Sequence, residues 1–182
     1  MNDIHVAVLL GSLRADSVNR QLAQILIDDA PDGVTVTLIE GLEQVPFYNE
    51  DLDGVHPPRA ARRLRHSVAA ADRLLAVTPE YNGTMPAVLN NAIDWLSRPH
   101  RAGAIVGKPF GVLGATPTPY GGAWSHADAA RSAGIAGALV IEEVRVSQST
   151  IDVDVTTDPG VRAKLRQALT TLVEFQPAEV VV

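Results

Sequence analysis

The chain has 182 residues, of which 46% are hydrophobic and 20% charged, so it has the size and balance of one globular domain. Its net charge of −6 argues against nucleic-acid binding, which needs concentrated Lys and Arg. It has no cysteine, which excludes disulfides, Cys–zinc sites and a thiol nucleophile.

Ile4 to Leu10 is a nearly unbroken apolar run closed by Gly11, the pattern of a strand buried on both faces. From Asn19 to Ala30, Leu22, Ile25 and Leu26 carry the spacing of an amphipathic helix, broken by Pro31-Asp32-Gly33. Val34 to Ile39 is a second strand, and residues 41–58, rich in Gly, Pro and acids, read as an irregular loop. A helix follows with Ala61, Leu64, Val68 and Ala71 on one face; its Arg59, Arg62, Arg63 and Arg65 read as a solvated face. Leu74 to Val77 is a third strand, Pro86 to Leu96 a helix, and Phe110 to Leu113 a fourth strand ending at Gly114. A helix from Ala123 to Ala133 precedes a fifth strand at Ala138 to Ile141. In the last helix Asp158 is placed to N-cap, Pro159 takes the first position, and Val161, Leu165, Ala168 and Leu172 form the apolar face.

Strands alternating with helices imply an α/β fold, one parallel sheet covered on both faces. In such sheets ligands sit beyond the carboxyl ends of the strands, at the topological switch point. Three loops therefore carry the functional reading: those after the first, third and fourth strands.

The first loop, Gly11-Ser12-Leu13-Arg14-Ala15-Asp16-Ser17-Val18-Asn19-Arg20, joins a buried strand to a helix N-terminus. Unpaired amides and the helix dipole favour an anion there. Ser12, Ser17 and Asn19 add neutral donors and Arg14 a forked cation, which together read as a phosphate cradle. Plain helix capping accounts for Ser17 or Asn19, though not for Gly-Ser-x-Arg at the strand end. A Rossmann fingerprint needs G-x-G-x-x-G, and here only Gly11 is present; Gly107-Lys108 precedes a strand, so it is no P-loop.

The second loop is Thr78-Pro79-Glu80-Tyr81-Asn82-Gly83-Thr84-Met85-Pro86. Its composition fits either a wall along a flat heterocycle or an ordinary turn with an exposed Tyr. The third, Ala115-Thr116-Pro117-Thr118-Pro119-Tyr120-Gly121-Gly122, fits close backbone approach to a ligand or a flexible surface turn.

Gly11-Ser12-Leu13-Arg14…Ser17…Asn19-Arg20, with Pro79-Glu80-Tyr81-Asn82-Gly83…Leu89-x-Asn91-Ala92-Ile93-Asp94-Trp95-Leu96, resembles the NADPH-dependent FMN reductase family. That family includes bacterial quinone, chromate and azo-dye reductases, and the similarity in element order covers essentially the whole chain. The resemblance implies a flavodoxin-like three-layer sandwich with strand order 2-1-3-4-5, non-covalent FMN, NADPH or NADH as donor, and a homodimer or homotetramer. Carried over by position, it places Ser12, Arg14, Ser17 and Asn19 around the FMN phosphate. Pro79, Glu80, Tyr81, Asn82 and Gly83 then border the isoalloxazine, with Thr116, Gly121 and Gly122 flanking it from the other side. The family commonly has Lys where this chain has Asn90, a departure that bears on subunit contacts. Tyr120 and Trp124 are bulky and are expected to narrow the acceptor pocket.

The implied chemistry is a ping-pong cycle in which FMN takes a hydride from the nicotinamide and passes electrons to a small acceptor. No side-chain acid or base is obligatory, because the cofactor carries the chemistry. The five histidines, His5, His56, His66, His100 and His126, lack metal-ligand spacing and read as exposed or satisfied. Asp94 reads as a packing residue or a subunit contact. Arg14 serves either the FMN phosphate or the 2′-phosphate of NADPH. A flavodoxin-type electron carrier is the competing class. The N-terminus has no basic region or cleavage site, and no apolar run is long enough to span a membrane; the expectation is a cytoplasmic protein.

Overall fold

The strands are β1 (Ile4–Leu10), β2 (Val34–Leu38), β3 (Arg73–Val77), β4 (Pro109–Thr116) and β5 (Leu139–Ser149). In the computed structural model, which describes residues 3–177, they form one parallel sheet in the order β2-β1-β3-β4-β5. Helices α1 (Val18–Asp28), α2 (Arg59–Ala69), α3 (Ala87–Leu96), α4 (Ala123–Ile135) and α5 (Pro159–Glu174) connect or follow the strands. The expected flavodoxin-like order is therefore the observed one.

Alternate strand residues feed two cores. Ala7, Leu9, Leu74, Ala76, Phe110 and Val112 pack against α2, α3 and α4, whereas Val6, Val8, Leu75, Val77 and Leu113 pack against α1 and α5. Burial on both faces is why β1 and β3 read as continuous apolar runs. Among the described residues no helix is long and apolar enough to cross a membrane.

Two strands outrun their sequence expectation. β4 continues through Gly114, Ala115 and Thr116, and β5 reaches Ser149 instead of ending at Ile141. Pairing supplies the reason: Gly114, Ala115 and Thr116 lie opposite Ser147, Gln148 and Ser149, so the two extensions stabilise one another. Neither segment is apolar enough to announce itself as a strand. Thr116, expected in a loop, is a buried strand terminus.

The loop at 41–58 is irregular as expected, apart from short 3-10 turns at Leu42–Gln44 and Glu50–Leu52. It is nonetheless pinned. Asn91 accepts from the Tyr48 amide (2.8 Å) and donates to the carbonyls of Val45 (3.2 Å) and Pro46 (3.1 Å). Trp95 Nε1 also donates to Pro46 (2.7 Å). Arg65 corrects the expected solvated arginine face. It makes a bidentate pair with Asp53 (2.7 Å for both bonds), donates to the Trp95 carbonyl and lies over that ring. Arg59, Arg62 and Arg63 stay exposed.

Candidate functional site

Because β1, β3 and β4 are neighbours running the same way, their three following loops emerge side by side. Gly11 marks the closest approach: its amide extends the β1–β3 pairing to Val77 (2.9 Å), and a Cβ there would lie 2.2 Å from Thr78 Oγ1.

In the first loop Ser17 caps α1, accepting from the Asn19 amide (3.2 Å). Ser12 is buried to 3% exposure, yet its hydroxyl has no hydrogen-bond partner among the described residues. Among the described residues no fully buried side-chain nitrogen or oxygen goes unpaired, so the Ser12 hydroxyl keeps some contact with solvent. The amides of residues 12–16 are likewise free of protein acceptors among the described residues, and Arg14 is exposed. Open amides, one hydroxyl and one guanidinium ahead of a helix N-terminus form a donor set fitted to a phosphate. Asn19 behaves differently. Its side chain is buried and both of its polar atoms bind Ala115, Nδ2 to the carbonyl and Oδ1 to the amide (2.9 Å each). Glu40 at the end of β2 is taken by Arg20 (3.0 Å).

In the second loop Asn82 (φ 53°) and Gly83 (φ 75°) form a hairpin-like tip closed by paired bonds between Tyr81 and Thr84. Two left-handed residues in succession explain the Asn-Gly pair. Pro79 is buried, whereas Tyr81, Asn82 and Gly83 are exposed at the tip. The Glu80 carboxylate accepts from the amides of Trp124 (3.0 Å) and Ser125 (3.1 Å). It thereby caps α4, whose own N-cap, Gly122, has no side chain to do so. Thr84 adds a bond to Asp128 (2.7 Å); that bond and Arg131 hold the Asp128 carboxyl below its usual range.

The third loop starts after Thr116, whose hydroxyl bonds that of Thr118 (2.9 Å). It closes on Gly121 and Gly122, both at positive φ. Gly121 lies so close to β5 that a Cβ would come within 2.6 Å of the Gln148 backbone. Tyr120 and Trp124, each more than half exposed, stand together at the rim with ring centroids 4.8 Å apart.

The fold thus brings the three sets of expected residues together at one edge, but two of them point their polar groups inward: Asn19 to β4 and Glu80 to α4. His126, read from the sequence as an exposed or satisfied histidine, is satisfied. It is fully buried, with ring nitrogens on the Thr78 carbonyl (3.1 Å) and the Ser147 hydroxyl (2.7 Å). Burial pushes its pKa down, opposed by the Thr78 bond and the Glu80 charge. The usable signal was its place in the first turn after Gly121-Gly122. Asp94 accepts from Asn90 (3.1 Å), and burial raises its carboxyl pKa. Concavities of about 610 Å³ beside Asp94, Arg98 and Ile135 and of about 420 Å³ beside His5, Arg63 and His66 lie away from the three loops. Neither is lined by any of the twelve expected site residues, so the site is defined by its loops.

A family model described as NADPH-dependent FMN reductase matches residues 4–151. A quinone reductase of Pseudomonas putida is 42% identical over 117 residues, covering 64% of this chain and 62% of that protein. A 2-hydroxy-1,4-benzoquinone reductase of a Burkholderia species is 43% identical over 111 residues, 61% of this chain and 60% of that protein. The matches to these curated relatives thus span less than two thirds of their length. Among solved structures, the flavoenzyme NAD(P)H:(acceptor) oxidoreductase FerB from Paracoccus denitrificans superposes with a TM-score of 0.74 at 27% identity. That superposition covers 93% of this chain and 97% of that one.

Proposed function

The chain belongs to the NADPH-dependent FMN reductase family, and from that premise we propose that it binds FMN across its three loops and reduces a small acceptor with electrons from NADPH or NADH. The observation that carries the reading is the unsatisfied donor set at the end of β1: the amides of residues 12–16, the Ser12 hydroxyl and Arg14. These would hold the phosphate, with Ser17 fixing the helix start behind them. Pro79, Glu80, Tyr81, Asn82 and Gly83 would border one side of the ring system, and Thr116, Gly121 and Gly122 the other. FMN held there would supply the redox chemistry between the nicotinamide and the acceptor.

The protein's share is orientation and access. Glu80 anchors the second loop on α4, and the first loop neutralises the phosphate. Tyr81, Tyr120 and Trp124 leave an aromatic rim that suits a flat ring, so a quinone is the proposed acceptor. Relatives named for quinone and benzoquinone reduction support that choice. A shared site for donor and acceptor makes the cycle ping-pong. The reading includes a cytoplasmic homodimer or homotetramer.

The purified protein should carry, or take up, a yellow chromophore identified as FMN. Anaerobic NADPH or NADH should bleach it, and a benzoquinone should restore it. A spectrum that resists both nicotinamides would turn the reading to a flavodoxin-type carrier. A protein that refuses added FMN would end it.

A further inference from the structure

In parallel pairing a residue's amide and carbonyl bridge two partners on the neighbouring strand. Thr78 begins such a rung, its amide donating to Leu113 (2.9 Å). The rung would finish with the Ala115 amide on the Thr78 carbonyl. It does not, because Ala115 gives its amide to Asn19. The Thr78 carbonyl accepts from His126 Nε2 instead. β3 and β4 therefore part at this point, with Asn19 from α1 on one face of the sheet and His126 from α4 on the other satisfying the separated groups. Only glycine fits at 114, where a Cβ would lie 2.0 Å from the Thr78 oxygen and 2.8 Å from both Asn19 Oδ1 and His126 Nε2.

The first turn of α4 holds three consecutive residues of the second loop. His126 binds the Thr78 carbonyl (3.1 Å), Ser125 Oγ the Pro79 carbonyl (2.8 Å), and the amides of Trp124 and Ser125 the Glu80 carboxylate. The same imidazole reaches the third loop and β5. Nδ1 meets Ser147 Oγ (2.7 Å), and the ring lies against Gly122, where a Cβ would be 3.1 Å from Nε2 and Cε1. A carbonyl only accepts, so Nε2 carries a proton; in the neutral ring Nδ1 then accepts from the Ser147 hydroxyl.

We infer that His126 is a positioning residue that sets the separation of the 79–83 and 117–122 loops, and hence the width of the slot between them. The inference rests on the FMN reading, since that slot is where the flavin ring is proposed to lie. The His126 imidazole touches the Thr78 root of one loop and Gly122, one helical turn before it, at the end of the other.

The test compares wild type, His126→Leu, which has no donor, and His126→Gln, which keeps an N–H at comparable reach. FMN is titrated into each apoprotein and followed by flavin fluorescence, with visible circular dichroism of the bound flavin and apoprotein Tm measured alongside. His126→Leu should weaken FMN by about ten-fold or more and alter the dichroism. His126→Gln should recover most of the affinity and the wild-type band shape, whatever its Tm. Equal affinity and identical dichroism in wild type and His126→Leu would overturn the inference while leaving the FMN reading intact. A wild type that does not bind FMN would remove both. If His126→Leu does not fold, Ser147→Ala decides: a weaker, spectrally altered complex supports the positioning role, and an unchanged one refutes it.

Discussion

Arg14 and Asp53 show how differently two exposed-looking charges behave once folded. Arg14 has no partner among the described residues, so its charge is available to a ligand. Arg14→Ala should leave urea unfolding of the apoprotein within about 0.5 kcal/mol of wild type. It should also weaken FMN roughly ten-fold and flatten the salt dependence of binding. Unchanged FMN affinity would remove Arg14 from the site. Asp53, by contrast, has a side chain only 10% exposed and clasped by Arg65. Its hydrogen bonds to that guanidinium lower its pKa, against the opposing effect of burial. Asp53→Asn should cost about 3 kcal/mol, because it leaves Arg65 without its counter-charge. A depressed carboxylate pKa stabilises the fold at pH above the unfolded value and is lost as pH falls through the folded one. Acid unfolding should therefore show a steeper fall in stability below pH 3.8 for wild type than for the variant.

At the scale of elements, helix ends explain what single residues do. Asp158 caps α5 through the Val161 amide (2.8 Å) with Pro159 behind it, a local arrangement written in consecutive residues. α4 is capped from 44 residues away by Glu80, which therefore couples a helix to the second loop. Glu80→Ala should lower stability by about 1 kcal/mol in chemical denaturation. It should also weaken FMN, whereas Asp158→Ala should lower stability by a similar amount with FMN affinity unchanged. Parallel losses of affinity in both would reduce Glu80 to a simple cap. The tip at Asn82-Gly83 is set by backbone geometry: Gly83 has room for a Cβ, nearest Trp124 at 3.8 Å, but stands at φ 75°. Gly83→Ala should cost about 1 kcal/mol from conformation alone.

For the whole molecule, the loops are joined to the sheet at its centre, through Thr78, Ala115 and the two faces of the core. A ligand held there should stabilise the entire fold by mass action. FMN at about 100 times its Kd should add about 2.7 kcal/mol and raise Tm with concentration. Riboflavin, which lacks the phosphate, should do much less at equal concentration. Equal effects of the two would remove the first loop as a phosphate site.

The order of strands and helices, the caps of α1 and α5, the three loops and the family itself were legible in the sequence. Each rests on local periodicity, on consecutive turn and cap residues, or on short motifs. The extensions of β4 and β5 were not, because Gly114 and Ser147 become strand residues only by facing one another. Nor was the burial of Arg65, whose partner lies in an irregular loop. Asn19 and Glu80 stand in the loops where the sequence places them, but their hydrogen bonds run to residues 96 and 44 or 45 positions away. His126 had only its place after Gly121-Gly122 as a local mark, since its meaning depends on two strands parting above it. Sequence patterns determine which residues stand at the site's edge. Which of them face a ligand and which hold the edge open is decided by long-range pairing, for a polar group commits to a partner only when the fold brings one within reach.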